Sequence, residues 1–269
     1  MFNGKKIIDE INNCNLKKDE FALWWLGQHS FVIKSNLSVI YIDLFLTNLS
    51  ERLVPPFFNP AEVTNASLFL GSHDHIDHID RAIWPALAKA SPNAKFVVPE
   101  SIKEDLVKSL NIPSNRFIGL DDMQSFELPG IKITAITSAH EKLEFDSKGR
   151  SLFLGFVLEV AGKKIYHSGD CCIYEGLLTK LKKWNFDLMI LPINGRDAVR
   201  LKSGCIGNMT YQEAADLAGA AGTKIVIPAH YDMFRNNLGS VADFKEYIHV
   251  KYPSVKVNLC EYAQCVKIN

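Results

Sequence analysis

Apolar residues along this chain fall into short runs rather than long ones. Most runs are rich in β-branched and aromatic side chains, so they predict strands. "FALWWLG" (21–27), "SFVIKS" (30–35) and "SVIYIDLF" (38–45) come first, with breaks short enough for a meander. "ASLFLGS" (66–72) predicts a fourth strand and "IDRAIWPALAKAS" (79–91) a helix. "AKFVVPE" (94–100) predicts a strand and "SIKEDLVKSL" (101–110) a helix, with Ser101 and Glu104 at the spacing of a capping box. After "RFIGL" and "IKITAITSA", the runs "SLFLGFVLEVAG" and "KKIYHSGD" read as a hairpin turning at Ala161-Gly162. The remainder alternates. "EGLLTKLKKWN" is helical, "FDLMILPI" is a buried strand, and "TYQEAADLAGAAG" is a helix capped by Thr210 and Glu213. "TKIVIPAHY" is a strand, "VADFKEYIHVKYP" a helix, and "VKVNLC" and "AQCVKIN" close the chain as strands.

Strands first, then helix–strand alternation, then strands and helices again, describe an α/β chain. Two mixed sheets packed face to face, with helices outside, satisfy this order. No Gly-, Pro- or Ser-rich linker, low-complexity tract or internal repeat interrupts residues 1–269, so one domain is the economical reading. The opening "MFNGKKIIDEINNCNLKKDE" has an amphipathic pattern and is expected as an N-terminal helical extension over 1–20, covering the core or lying between copies.

Composition narrows the classes. Hydrophobic residues make up 47% of 269 and charged residues 22%, enough for a sizeable core. Lys+Arg and Asp+Glu are equal at 30 each, so there is no broad basic footprint for nucleic acid or anionic membrane, although a local anion site stays open. No apolar run reaches the ~18 residues of a membrane span, and the N-terminus lacks a signal-peptide core. The six cysteines, Cys14, Cys171, Cys172, Cys205, Cys260 and Cys265, have no framework spacing. These features predict a cytoplasmic protein with reduced thiols that acts on a small molecule, with self-association left open.

The candidate chemistry sits in "GSHDHIDHID" (71–80), where three histidines and three aspartates share ten positions. The segment joins a predicted strand to a predicted helix, the place where α/β proteins gather ligands. In an extended run alternate side chains face the same way, so His73 and His75 can reach one metal. As the chain turns toward helix, Asp77 and His78 are redirected toward a second. One loop cannot complete two coordination spheres. Three further groups end predicted strands: His140 after "IKITAITSA", Asp170 after "KKIYHSG" and His230 after "TKIVIPA". The expected assignment is His73, His75 and His140 on one metal, Asp77, His78 and His230 on the other, and Asp170 bridging. Taken singly, each has an ordinary alternative: a hydrogen-bonded surface His for His140 or His230, a helix cap for Asp170. Asp74 and Asp80 read as supporting or solvated residues, and His29 as lying near the pocket mouth or in a buried network.

Together these residues resemble the metallo-β-lactamase fold superfamily over nearly the whole chain. Within it, "WWLGQHSFVIKS", "SHDHIDHID", "HSGD", "LPINGRDAVR", "GNMTYQEAADLA" and "PAHYDMF" resemble the L-ascorbate-6-phosphate lactonase group of metal-dependent hydrolases. The resemblance implies a four-layer αββα sandwich of two mixed β-sheets, two divalent metal ions, and hydrolysis of a phosphorylated sugar-acid lactone. His and Asp donors admit manganese, zinc or iron, and the resemblance implies manganese. The expected mechanism is attack by a metal-bridging hydroxide, with Asp77 orienting it or carrying its proton to the leaving alkoxide. Asn194 and Arg196 are candidates for holding an anionic substrate and Tyr231 for lining its pocket, with an Arg196–Asp197 ion pair as the competing reading. The phospholipase D-type phosphodiesterase branch and a non-catalytic metal- or ligand-binding role are the alternatives.

Overall fold

The computed structural model describes residues 3–268. Helix α1 (Gly4–Asn13) precedes strands β1 (Phe21–Trp25), β2 (Phe31–Lys34), β3 (Val39–Ile42) and β4 (Leu68–Leu70). Helix α2 (Trp84–Ala90), β5 (Lys95–Pro99), α3 (Glu100–Leu110) and β6 (Phe117–Leu120) follow. The second half holds β7 (Ser125–Leu128), β8 (Ile131–Thr137), β9 (Leu154–Val160), β10 (Lys163–His167), α4 (Leu177–Leu181), β11 (Leu188–Pro192) and α5 (Ala198–Lys202). It ends with α6 (Tyr211–Ala221), β12 (Ile225–Ala229), α7 (Val241–Lys251), β13 (Lys256–Val257) and β14 (Val266–Ile268).

The strands form two seven-stranded sheets of matching plan. The first runs β14-β1-β2-β3-β4-β5-β6 and the second β13-β12-β11-β10-β9-β8-β7. In the first, β14, β1, β2 and β3 pair antiparallel, and β3 to β6 are parallel. In the second, β7 to β10 are antiparallel and β10 to β13 parallel.

Strand alternation sorts the side chains into three apolar layers. Phe21, Leu23 and Trp25 of β1 point between the sheets with Phe156, Leu158, Ile190 and Ile227 of the second sheet. Ala22 and Trp24 point outward with Ile7, Ile8 and Ile11 of α1, Trp84 of α2 and Leu106 of α3. On the far side, Tyr166, Met189 and Val226 pack against Leu181 of α4, Ala214 of α6 and Phe244 of α7. Both faces of the central strands are therefore covered, which is why they read as continuous apolar runs rather than as alternation. The result is the expected αββα sandwich. Among the described residues, no helix is long and apolar enough to cross a membrane.

The Ala161-Gly162 turn forms as expected, with both residues at positive φ (51° and 72°), the pair a two-residue hairpin of this type requires. The Thr210–Glu213 capping box at α6 is also present. Three expectations are corrected. The N-terminal helix stops at Asn13, short of the predicted residue 20. Ser101 does not cap α3, because that helix starts directly at Glu100 and the Ser101 hydroxyl donates instead to the Ser151 carbonyl, 2.7 Å away. Helix α2 begins at Trp84 rather than Ile79. Buried Asp80 accepts from Leu46 N, Thr47 N and the Thr47 hydroxyl, which ties residues 79–83 to the neighbouring loop. Strand β7 and the short α5 carry no run long enough to have been predicted.

Candidate metal centre

The carboxyl ends of strands from both sheets supply the site. Asp43 follows β3, the 71–80 loop follows β4, and His140, Asp170 and His230 follow β8, β10 and β12. The loop is wound by backbone bonds from His75 N to the His73 carbonyl and from Ile79 N to the His75 carbonyl. Asp74 anchors its outer side through a two-point ion pair with Arg81 (2.6 and 2.8 Å), which also reaches Asp105 of α3.

Donor atoms of His73, His75 and His140 lie within 4.8 Å of one another, and so do those of Asp77, His78 and His230. Asp170 stands between the two groups. Its Oδ1 is 3.2 Å from His78 Nε2, and its Oδ2 is 3.1 Å from His230 Nε2 and 3.6 Å from His140 Nε2. The seven residues singled out from sequence are thus brought to one place, where donor atoms of His78 also group with those of His73 and Asp170 and with those of His29 and Asp43. All but His75 and Asp77 are buried, and those two line an open cavity of ≈ 440 Å³.

Second contacts orient these rings. Asp43 Oδ2 lies 2.7 Å from His78 Nδ1, and Asp43 also accepts from Ser72 N and Ser72 Oγ. The Gly207 carbonyl lies 3.0 Å from His140 Nδ1. In both rings Nε2 is left facing Asp170, and a ring nitrogen so fixed is a defined ligand atom. Gln28 Nε2 donates to Asp77 Oδ2 (2.7 Å) and lies 3.0 Å from His230 Nε2. Gln28 is held in turn by Asp232, whose other oxygen accepts from Tyr262. Gln28, Asp43 and His230 all have positive φ (50°, 47° and 57°), a backbone region rare for side-chain-bearing residues and concentrated at functional sites. Gly169, next to Asp170, also has positive φ, and a Cβ there would meet the Leu154 carbonyl oxygen at 2.4 Å, so only glycine fits.

Electrostatics divides the histidines. Burial lowers the pKa of His73, His75 and His140, which keeps them neutral and able to coordinate. Burial also opposes protonation of His78 and His230, but Asp170 and Asp77 outweigh it, lifting His230 to about 9 and His78 well above its ordinary value. Burial alone would raise Asp77 and Asp170; the two charged imidazoles hold both below the carboxylate range. His78 Nε2 and Asp170 Oδ1 nevertheless make no hydrogen bond in spite of full burial. Buried polar atoms are rarely left so, and cations set among these donors would engage both.

Sequence reading missed Asp43 and Gln28. Asp43 ends its strand as the other groups end theirs, so the same signal was present. Nothing in "LGQHS" marks Gln28 apart from its neighbour His29, which is fully buried with Nδ1 3.5 Å from Asp170 Oδ1.

The three substrate-binding expectations are corrected. Arg196 turns away from the cavity and makes a two-point ion pair with Glu213 (2.5 and 2.7 Å), while also donating to the Asn208 carbonyl. Asp197 pairs with Arg200, not with Arg196. Asn194 is buried and spends its amide on Asn237 and Asn208. Tyr231 packs on Trp25 (5.2 Å between centroids) and lines a separate cavity with Cys260 and Tyr262. Arg196→Ala is accordingly expected to cost about 1 kcal/mol of stability in urea unfolding, as a partly exposed two-point pair does. The ratio of KM values for phosphorylated and unphosphorylated substrates should stay unchanged.

Comparison with known proteins agrees with this geometry. The beta-lactamase superfamily domain matches residues 40–231, more than half the chain. A UPF0173 metal-dependent hydrolase from Herpetosiphon aurantiacus is 31% identical over 228 residues, covering 79% of this chain and 83% of that protein. A metallo hydrolase from the archaeon Ignicoccus hospitalis aligns over 93% of this chain and 99% of its own, with TM-score 0.70 and 21% identity. An isothiocyanate hydrolase from Delia radicum gut bacteria aligns over 91% and 98%, with TM-score 0.69 and 14% identity. The two structural likenesses show the fold, and the family match and the curated relative show that this chain belongs to the metal-dependent hydrolases of the metallo-β-lactamase superfamily.

Proposed function

We propose that this chain is a dinuclear hydrolase that opens lactones or closely related esters. The observation that carries this reading is the Asp170 carboxylate, within 3.6 Å of histidines from both donor groups. Two divalent cations held by those groups, manganese or zinc with iron also admitted, would supply a hydroxide at neutral pH and a Lewis acid for the carbonyl oxygen.

The protein's own contribution is positional. Asp43 and the Gly207 carbonyl fix the His78 and His140 rings. Gln28 holds one Asp77 oxygen, which aims a carboxylate at the cavity floor, within reach of a proton that must pass to the leaving alkoxide. Opening a cyclic ester leaves that alkoxide tethered to the new carboxylate, so one proton carrier suffices. The ring ester implied by resemblance to the lactonase group is retained in this proposal. Its phosphate is not, because Arg196 is committed to Glu213.

The test is turnover of purified, metal-loaded protein on an alkyl-substituted lactone, an aldonolactone phosphate, an aryl isothiocyanate and bis(4-nitrophenyl) phosphate. Lactone opening that a chelator abolishes is the expected result. Faster cleavage of the phosphodiester would replace this reading with a phosphodiesterase, and inertness toward all four would favour a binding role.

A further inference from the structure

The cavity above the centre has a chemistry of its own. Leu49, Ile76, Ile206 and Phe234 give it an apolar wall, and Glu51 is the charged residue at its edge beyond the donor groups. Among the described residues, no Lys or Arg lines it. Ile76 is 47% exposed although it sits inside the 71–80 loop, between His75 and Asp77, so an apolar surface is presented to whatever occupies the cavity.

Two of the nearby guanidinium groups are engaged elsewhere. Arg200 donates to Asp197, the Asn194 carbonyl and Asn237 Oδ1. Arg52 donates to the carbonyls of Phe45, Thr47 and Val54 and lies over the Phe45 ring. Arg235 is exposed and lines a neighbouring cavity that shares Glu51, Phe234 and Asn236 with this one, but it is not part of the lining above the donor groups. Glu51 is exposed and has no ion-pair partner among the described residues.

We propose that this cavity selects substrates whose acyl group is uncharged and apolar, that it rejects anionic ones, and that Glu51 sets the preference. The proposal rests on the hydrolytic reading above and names its substrate class. An apolar tail removes the surfaces of Ile76, Ile206 and Phe234 from water. A carboxylate or phosphate at the same place loses hydration, finds no Lys or Arg among the described lining residues, and meets the Glu51 carboxylate there.

Binding tests this without requiring turnover. Hexanohydroxamic acid and adipic monohydroxamic acid share a chelating head and differ in a methyl against a carboxylate at the tail. Calorimetry on the manganese- or zinc-loaded protein is expected to show the neutral tail bound at least about tenfold tighter, and Glu51→Lys to shrink that ratio at least about tenfold. Equal affinities in the wild type, tighter binding of the carboxylate tail, or an unchanged ratio in Glu51→Lys overturns the proposal. Selective binding without lactone opening would overturn the hydrolytic reading alone. Lactone opening with no discrimination between tails would overturn the selectivity alone.

Discussion

Asp170→Asn is expected to lower hydrolysis at least about a thousandfold while leaving the sandwich folded, since losing a single stabilising donor already costs about 10²–10³ in turnover. Asp170 does more than one donor. Both its oxygens face imidazoles, with His78 on one side and His140 and His230 on the other. An amide keeps the shape but offers one acceptor oxygen and no charge. His230 would lose its nearest anion, His78 would lose the anion that most favours its protonated form, and the proposed cation pair would lose the ligand expected between them. Elemental analysis should find at most about one metal per chain, because replacement of even outer partners weakens metal sites about 10- to 100-fold. Circular dichroism should be unchanged, since Gly169, not Asp170, satisfies the tight approach to Leu154. Full metal content with undiminished turnover in Asp170→Asn would remove the basis for a bridged pair.

How far the site was readable from sequence follows from where its residues lie. The candidate metal donors follow strands, and a strand end combines an apolar run with an abrupt polar residue, both visible in one dimension. His73, His75, Asp77 and His78 also share ten residues, so local spacing reported on geometry. Asn194, Arg196 and Tyr231 failed for the opposite reason. Each side chain's partner lies on another element: Asn237 for Asn194, Glu213 of α6 for Arg196, Trp25 of β1 for Tyr231. Which of two nearby groups an arginine takes depends on packing that spacing does not report. The capping boxes make the same point. Thr210 and Glu213 cap α6 because the chain enters that helix from a loop; Ser101 cannot, because β5 runs straight into α3. The cavity wall was equally hidden, since Leu49, Ile206 and Phe234 come from three distant loops.

Asp43→Asn is expected to destabilise the metal-free protein by about 3 kcal/mol and to weaken metal binding about 10- to 100-fold. Asp43 is fully buried and accepts from Ser72 N at 2.8 Å, Ser72 Oγ at 2.7 Å and His78 Nδ1 at 2.7 Å. Asparagine supplies only one acceptor oxygen, so its NH₂ must face at least one of these donors. The Ser72 hydroxyl can rotate to accept; the protonated His78 ring cannot. The imidazolium is then left in a closed interior without its closest anion, the situation in which breaking a buried pair costs several kcal/mol. Cations that replace that proton lose in turn the carboxylate fixing the ring. The left-handed backbone at Asp43 is no obstacle to the variant, because asparagine adopts it as readily as aspartate. Loss of the charged contact is therefore separated from backbone strain. Urea unfolding of metal-free protein and competition with a chromogenic chelator measure the two effects. A variant within about 0.5 kcal/mol of wild type, with unaltered metal affinity, would show that Ser72 alone can hold His78 in place.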